Sequence, residues 1–414
     1  MSTLDYYDSN ILNFAKRNDI ISTLYHRFLT YGYQQIRTST FESYDLYSTV
    51  TGTIPQDEMI KVIDPSGKVL VLRPDVTIPI TQEIAAKNTS LQNAKRYFYV
   101  LDVFRQSFGD NGSKERTQAG IEYFGEKSAA ADAEVIALAI HALRDLGDYT
   151  FKIEIGHAGF FKHLASHLNL NDTDFERLRQ YIQAKNMTEI VPFLQNLQLD
   201  KDIATAVRQI PILYGDPDHV LKQAKSIALN DDMLAELDHL HDVYQVLKGY
   251  GMENSVVFDL GLINHMNYYS DIIFQGFMEN VSRPVLMGGR YDSLAEQFGA
   301  SIPAIGFAYD IEGLLDATKT KQVITLPQPI VINYEKNTEN SALHLANELR
   351  QEHYEVIVEE TEKSAATPDF HIQINQQTKS FTHNGHMTEF KTSEELFTLL
   401  KEATADGSIN NCSS

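Results

Sequence analysis

Apolar and polar positions in the first part of the chain predict a helix followed by a hairpin. Apolar residues recur at helical spacing from position 20 to position 28, and Gly32 can end the helix in the left-handed conformation. Apolar runs at 59–63 and 68–72 then flank a turn-forming Asp-Pro-Ser-Gly sequence. This change of period predicts that a helix precedes an antiparallel structure.

Two further strands are predicted at 97–104 and 120–124, on either side of a polar loop at 106–117. Ser128 is a candidate N-cap for a helical pattern that runs to residue 146, and a strand at 151–155 follows this helix. We therefore expect an antiparallel sheet of six or seven strands with helices packed against it, which is an α+β architecture.

The pattern becomes helical throughout from residue 163 to about residue 250, with breaks expected at Pro192, Pro211 and Pro217. We interpret this stretch as a helical insertion. The main domain then resumes with two strands and two helices, at 256–260, 268–277, 293–298 and 311–317.

The same patterns predict the domain boundaries. A stretch without clear period, which contains Pro327 and Pro329, is a candidate linker, and strands alternate with helices after it. The predicted segments are a main domain at 1–317 with its insertion at 163–250, a linker at 318–329, a small α/β domain at 330–405 and a tail at 406–414.

Composition limits the classes of function. The formal net charge of -21 repels phosphate backbones, so a large RNA partner such as tRNA is unexpected. Cys412 is the only cysteine, which excludes a disulfide framework and favours a reducing compartment, the cytoplasm. The chain shows no signal-peptide pattern and no apolar stretch of membrane-spanning length, so we expect no membrane association.

Four spaced segments, at 72–77, 96–125, 262–275 and 288–315, carry a resemblance to a known family. Phe104-Arg105 with the sequence at 118–122 resembles the second motif of class II aminoacyl-tRNA synthetases, and the sequences at 288–292 and 303–307 resemble the third. The segment 262–275, which carries Tyr268-Tyr269, resembles the histidine-specific segment of the histidyl-tRNA synthetases. The resemblance implies the class II antiparallel sheet over about residues 20–317.

The resemblance also implies a nearly complete pocket for histidine. It assigns Asp75, Thr77 and Gln118 to the α-ammonium group and Arg105 to the carboxylate. It assigns Glu122 and Tyr268 to the imidazole, which needs both a hydrogen-bond donor and an acceptor, and it places Tyr269 beside them. The implied site comprises Asp75, Thr77, Arg105, Gln118, Glu122, Tyr268 and Tyr269.

The catalytic groups of the family are absent at three matching positions. Ser107 stands where the second motif has a glutamate, and Asn264 and Gly313 stand where the family has arginines. Adenylation builds negative charge on a phosphate, so the loss of fixed cations removes its main stabilisation. Lys114 and Arg116 could compensate in part.

A histidine pocket without catalysis resembles one family in particular, the regulatory subunits of ATP phosphoribosyltransferase. The resemblance implies a dimer within a hetero-oligomer that contains a short-form catalytic subunit, with histidine as the regulatory ligand and no cofactor. A divergent histidyl-tRNA synthetase and a histidine sensor of another pathway remain alternatives.

Simpler interpretations stand beside these assignments. Arg105 and Glu122 could form a structural ion pair, and Asp75 could cap a helix that begins near Val76. His163 and His167 have the i, i+4 spacing of a metal site but lack an evident third ligand, so we interpret them as solvent-facing and expect no metal.

Overall fold

The structure is a computed structural model. It describes residues 3–50, 54–87, 93–107, 113–168, 170–197, 199–263, 269–318, 329–361, 370–383 and 385–405. The chain divides into two compact units, Met1–Gln322 and Val323–Ser414. The predicted linker at 318–329 and the predicted tail fall almost entirely outside the described residues.

The first unit contains most of the secondary structure. Its strands are β1 (Gln34–Gln35), β2 (Phe41–Ser43), β3 (Lys61–Ile63), β4 (Val69–Leu72), β5 (Lys95–Phe104), β6 (Glu115–Phe124), β7 (Phe151–His157), β8 (Tyr214–Gly215), β9 (Val256–Asp259), β10 (Ile272–Met278), β11 (Leu286–Arg290) and β12 (Ala304–Asp310). Its α-helices are α1 (Thr3–Thr30), α2 (Tyr44–Thr49), α3 (Thr77–Lys87), α4 (Ala129–Asp145), α5 (Ala158–Ser166), α6 (Asp172–Gln183), α7 (Met187–Asn196), α8 (Lys201–Gln209), α9 (Pro217–Lys225), α10 (Asp231–Gly249), α11 (Asp292–Glu296) and α12 (Ile311–Thr318).

The described strands form a large sheet in the order β1-β5-β6-β12-β11-β10-β7-β9-β8. The run from β5 to β7 is antiparallel throughout, which confirms the predicted antiparallel sheet flanked by helices. The count of nine strands exceeds the predicted six or seven, and the pairs β1 with β5 and β7 with β9 are parallel. The sequence missed β1 and β8, because strands of two residues are too short to show a period, and it also predicted no strand at the central β11 and β12.

Helices α1, α4 and α12 pack together against one face of this sheet. Ile20, Leu24 and Phe28 are buried on α1, and Gly32 adopts a φ of 78° after its end, as predicted. The hydroxyl of Ser128 accepts a hydrogen bond from the amide of Ala131, which confirms the N-cap of α4. The opposite face carries a second apolar cluster, which includes Tyr99, Phe124 and Ile273, beside the polar residues of the site.

The predicted hairpin is present as β3 and β4, but it belongs to a separate three-stranded sheet in the order β2-β4-β3. The carboxylate of Asp64 accepts hydrogen bonds from the amides of Ser66 and Lys68 across the turn. Strand β6 begins at Glu115, inside the predicted polar loop, so Arg116 lies on a strand.

The region predicted as a helical insertion contains α6 to α10. Two expectations there are wrong. Pro192 lies inside α7 instead of ending it, because the neighbouring Ile190 and Leu194 are buried and their packing outweighs the lost backbone hydrogen bond. The region is also not entirely helical, since β8 pairs with β9 at the edge of the sheet.

The second unit forms a small α/β structure. Its elements are β13 (Ile330–Tyr334), α13 (Glu339–Gln351), β14 (Val356–Glu360), β15 (Phe370–Ile374), β16 (Lys379–His383), β17 (His386–Phe390) and α14 (Ser393–Ala405), and the sheet order is β14-β13-β15-β16-β17. Sequence patterns did not indicate the strands β16 and β17. Within the described ranges of the whole chain, no helix is long and apolar enough to cross a membrane.

Candidate functional site

A cavity of about 180 Å³ opens on the face of the large sheet opposite α1 and α4. Strand alternation directs Gln118 and Glu122 of β6 to this face, while Ile121 between them packs under α1. Six of the predicted site residues line the cavity: Asp75, Thr77, Arg105, Gln118, Glu122 and Tyr269. Tyr268 lies outside the described residues, and the strand predicted at 268–277 begins at Ile272.

Glu122 is a buried carboxyl group in the lining of this cavity, with 1% of its surface exposed. Thr77 Oγ1 donates to its Oε1 at 2.6 Å, and the Tyr291 hydroxyl donates to its Oε2. Burial raises the pKa of Glu122 to about 8, although these two hydrogen bonds act in the opposite direction. Both oxygens thus accept from hydroxyl groups, which differs from the ion pair with Arg105 considered above.

A glycine on the neighbouring strand makes room for this carboxylate. Gly306 of β12 pairs with Glu122 across the sheet, and a Cβ atom there would lie 2.1 Å from Glu122 Oε2. Any side chain at this position would displace the carboxylate. Gly306, which lies in the segment that resembles the third motif, therefore provides the space that the Glu122 carboxylate occupies.

Asp75 both caps a helix and lines the cavity. Its Oδ1 accepts from the amide of Ile78 at 2.8 Å in the first turn of α3, as the simpler interpretation predicted. Burial raises the pKa of Asp75, and the bond from Ile78 and the charge of Arg105 oppose that shift. Arg105 Nε donates to the carbonyl of Pro74 at 3.1 Å, which holds its guanidinium near Asp75.

The cationic side of the cavity is balanced by acidic groups. Arg116 Nη1 lies 3.2 Å from Asp310 Oδ2, and Arg283 Nε lies 3.3 Å from the same oxygen. Lys114, the other candidate for compensation, donates to the side-chain amide of Gln106 at 3.2 Å. The charge that Arg116 brings to the pocket is therefore already neutralised in this structure.

The three positions at which the resemblance implies the loss of catalytic groups have different surroundings. Gly313 lies in the first turn of α12, where a Cβ atom would be 3.3 Å from Asp310 Oδ2. Ser107 follows β5 and is described, whereas Asn264 lies outside the described residues.

Sequence analysis missed two aromatic residues of the pocket. Tyr99 of β5 lies over Gly120, and the ring would collide with any Cβ atom there. Tyr291 follows β11 and bonds to Glu122, although the sequence assigned the segment 288–292 only to a motif and gave Tyr291 no role. The alternation of β5, with a glycine opposite a large ring, was the available signal for Tyr99.

Known proteins share this fold and much of the sequence. A family model described as histidyl-tRNA synthetase matches residues 8–314. The chain is 48% identical to an ATP phosphoribosyltransferase regulatory subunit from Oceanobacillus iheyensis, over 85% of this chain and 87% of that protein. A regulatory subunit from Clostridium kluyveri is 30% identical, over 91% of this chain and 94% of that one.

Solved structures agree with these relatives. The crystal structure of an ATP phosphoribosyltransferase regulatory subunit/histidyl-tRNA synthetase from Bacillus halodurans has a TM-score of 0.77 at 28% identity, covering 86% of this chain and 91% of that chain. A histidyl-tRNA synthetase from Nostoc, with a TM-score of 0.76 at 18% identity over 94% and 95% of the two chains, shares the fold alone. Together with the sequence matches, they show that this chain belongs to the family of ATP phosphoribosyltransferase regulatory subunits, which has the histidyl-tRNA synthetase fold.

Proposed function

We propose that this chain is the non-catalytic regulatory subunit of an ATP phosphoribosyltransferase and that its pocket binds histidine for feedback control. The chain would act with a short-form catalytic subunit at the first step of histidine biosynthesis. The observation that carries the ligand assignment is Glu122, a buried carboxyl group in the lining of a cavity sized for one small metabolite. A cavity of about 180 Å³ is well below the roughly 300–1,000 Å³ typical of sites for drug-sized ligands.

The chemistry of Glu122 suits an imidazole ring. Each carboxylate oxygen has a second acceptor position beyond the bond from Thr77 or Tyr291. Because its pKa lies near 8, Glu122 can also carry a proton near neutral pH and donate it to a ring nitrogen. An amino acid without ring nitrogens would leave this buried group without a ligand partner, at a cost of roughly 1–3 kcal/mol.

The remaining pocket residues suit the backbone of an amino acid. Arg105 offers a planar cation for the ligand carboxylate, and Asp75 and Gln118 offer acceptor oxygens for its ammonium group. The resemblance assigns Thr77 to the ammonium as well. Its hydroxyl donates to Glu122 and keeps its lone pairs available for that contact.

The charge balance argues against amino-acid adenylation. An active synthetase needs unpaired cations at the phosphates, but Asp310 neutralises Arg116 beside the cavity. The divergent-synthetase alternative is tested by histidine-dependent exchange of pyrophosphate into ATP. Exchange above a no-enzyme control would overturn the non-catalytic assignment.

Calorimetry tests the pocket directly. We expect wild-type protein to bind histidine with a Kd between about 10 μM and 1 mM and to reject phenylalanine, which lacks ring nitrogens. Glu122→Gln should weaken histidine binding about tenfold or more, because an amide cannot transfer a proton to the ring nitrogen and so cannot form the charge-assisted hydrogen bond that the carboxyl group can form. Glu115→Gln, on the exposed start of the same strand, is the matched control and should bind as the wild type does. Equal affinities for all three proteins would refute the pocket assignment.

Reconstitution tests the partner. The chain, expected to self-associate as a dimer, should co-purify with a short-form catalytic subunit and increase its transferase activity. A histidine sensor of another pathway would bind histidine but show no affinity for the transferase. The single cysteine fits a reducing compartment, so we place the complex in the cytoplasm.

A further inference from the structure

A second group of titratable side chains converges outside the ligand pocket. His157 ends β7, Asp271 directly precedes β10, and Glu236 projects from α10. Their candidate ligand atoms all lie within 4.8 Å of one another. Because Ile272 pairs with His157, the neighbouring Asp271 lies beside His157 at the ends of two adjacent strands.

The imidazole of His157 is buried, with 1% of its surface exposed, and two carboxylates approach the same ring nitrogen. Nε2 lies 2.5 Å from Asp271 Oδ1 and 3.3 Å from Glu236 Oε2. These approaches lack hydrogen-bond geometry, so among the described residues both ring nitrogens and Asp271 Oδ1 have no hydrogen-bond partner. Buried polar atoms of this kind are rare and indicate a missing partner.

A proton is a poor partner for this arrangement, whereas a divalent cation is a good one. One N–H group points in one direction and cannot serve two carboxylates equally. A cation that replaces the proton can bind the ring nitrogen and both oxygens together. Donor atoms about 2.1 Å from a tetrahedral zinc ion lie about 3.4 Å apart, close to the observed separation from Glu236, and Asp271 would need a shift of about 1 Å.

The surroundings support the same three ligands. His163 Nε2 lies 3.2 Å from the other oxygen of Glu236, so it orients this carboxylate as outer-shell groups do at metal sites. A Cβ atom on Gly159 would lie 2.5 Å from the same oxygen, so the glycine provides space for the carboxylate. The nearby guanidinium of Arg290 is bound by Asp132 and Asp292. His239 Nε2 lies 2.8 Å from Asp132 Oδ2 but 3.9 Å from Asp271 Oδ1, so Asp271 lies closer to His157 than to His239.

We propose that His157, Glu236 and Asp271 form a binding site for a divalent transition metal, with zinc as the ion that best suits one imidazole and two carboxylates. The site is distinct from the histidine pocket but linked to it through the chain. Asp271 lies two residues after Tyr269, whose carbonyl also accepts a hydrogen bond from Lys162 at 2.8 Å. A bound ion would therefore fix one wall of the pocket.

Metal titration of the full chain tests the proposal. Protein stripped with a chelator and dialysed should take up one equivalent of Zn²⁺ per chain, measured by elemental analysis after gel filtration. Co²⁺ should give visible absorption bands characteristic of nitrogen and oxygen ligands. Glu236→Gln should weaken Zn²⁺ binding roughly tenfold or more and change the Co²⁺ bands. His167→Gln is the control, because His167 contacts Asn230 outside the cluster.

The possible results distinguish a metal site from a buried ion pair. Negligible zinc uptake by the wild type at micromolar concentrations, or equal uptake by wild type and Glu236→Gln, would overturn the proposal and leave a buried ion pair. Loss of binding in His167→Gln alone would move the site elsewhere. Circular dichroism checks that each variant is folded, and Asp271→Asn, which should also lose binding, replaces Glu236→Gln if that variant does not fold.

Discussion

Replacing Glu122 with glutamine should change how the stability of the protein depends on pH. Burial is the main cause that raises the pKa of Glu122 to about 8 from an ordinary value of 4.5, and in the unfolded chain the group returns to that ordinary value. Between these two values the folded protein retains a proton that the unfolded chain has released. Stability therefore falls as pH rises through this window, and glutamine, which does not titrate, removes the effect.

The expected magnitude follows from linkage. Each unit of difference between folded and unfolded pKa corresponds to about 1.4 kcal/mol, so ionising Glu122 costs the folded protein about 5 kcal/mol in full, of which about 3–4 kcal/mol falls between about pH 5 and about pH 8. The hydroxyls of Thr77 and Tyr291 can each donate or accept, so they can bond to a glutamine amide. The variant should thus keep the packing of the pocket while losing its titration.

Urea unfolding of both proteins at a series of pH values measures this effect. The chain has no tryptophan, so circular dichroism or tyrosine fluorescence must follow the transition. The difference in free energy of unfolding between Glu122→Gln and the wild type should change by about 3–4 kcal/mol, in favour of the variant, from about pH 5 to about pH 8. Glu115→Gln should follow the wild type. If the free energies of unfolding of Glu122→Gln and wild type change with pH in the same way, the argument that burial raises the pKa of Glu122 is refuted.

Three further predictions concern the pocket and its support. Gly306→Ala should abolish histidine binding and lower the melting temperature, because its Cβ atom would lie 2.1 Å from Glu122 Oε2; calorimetry and thermal melting would contradict this if both are unchanged. Asp132→Asn leaves the buried guanidinium of Arg290 short of a counter-charge and should destabilise the protein by about 3–5 kcal/mol in urea unfolding, whereas a change near zero would show that Asp292 compensates. Arg105→Ala should raise the histidine concentration needed to inhibit the reconstituted transferase while gel filtration shows an intact complex; unchanged inhibition would place the sensing site on the catalytic subunit.

The sequence predicted the parts of the structure in which local pattern and packing agree. The periodic face of α1, the serine cap of α4 and the hairpin turn at Asp64 follow from residue types and spacing alone. At Pro192 the expectation that proline ends a helix failed, because buried neighbouring residues keep the helix intact. The strands of two residues gave no pattern to detect.

The site was predictable only in part. The resemblance placed six residues at the cavity, but it could not show that Thr77 and Tyr291 would bond to the same carboxylate, because that contact depends on three separate elements. The cluster of His157, Glu236 and Asp271 left no motif, since strand register and a helix from the insertion bring together residues far apart in the chain.

The carboxylate of Asp310 determines what an arginine at position 313 could do. Arg116 and Arg283 both contact its Oδ2, and a Cβ atom at position 313 would lie 3.3 Å from the same oxygen. An arginine introduced there would add a third guanidinium group beside this carboxylate, and pairing with Asp310 would draw it away from a bound nucleotide. A single Gly313→Arg substitution should therefore not restore a phosphate-binding cation to the cavity.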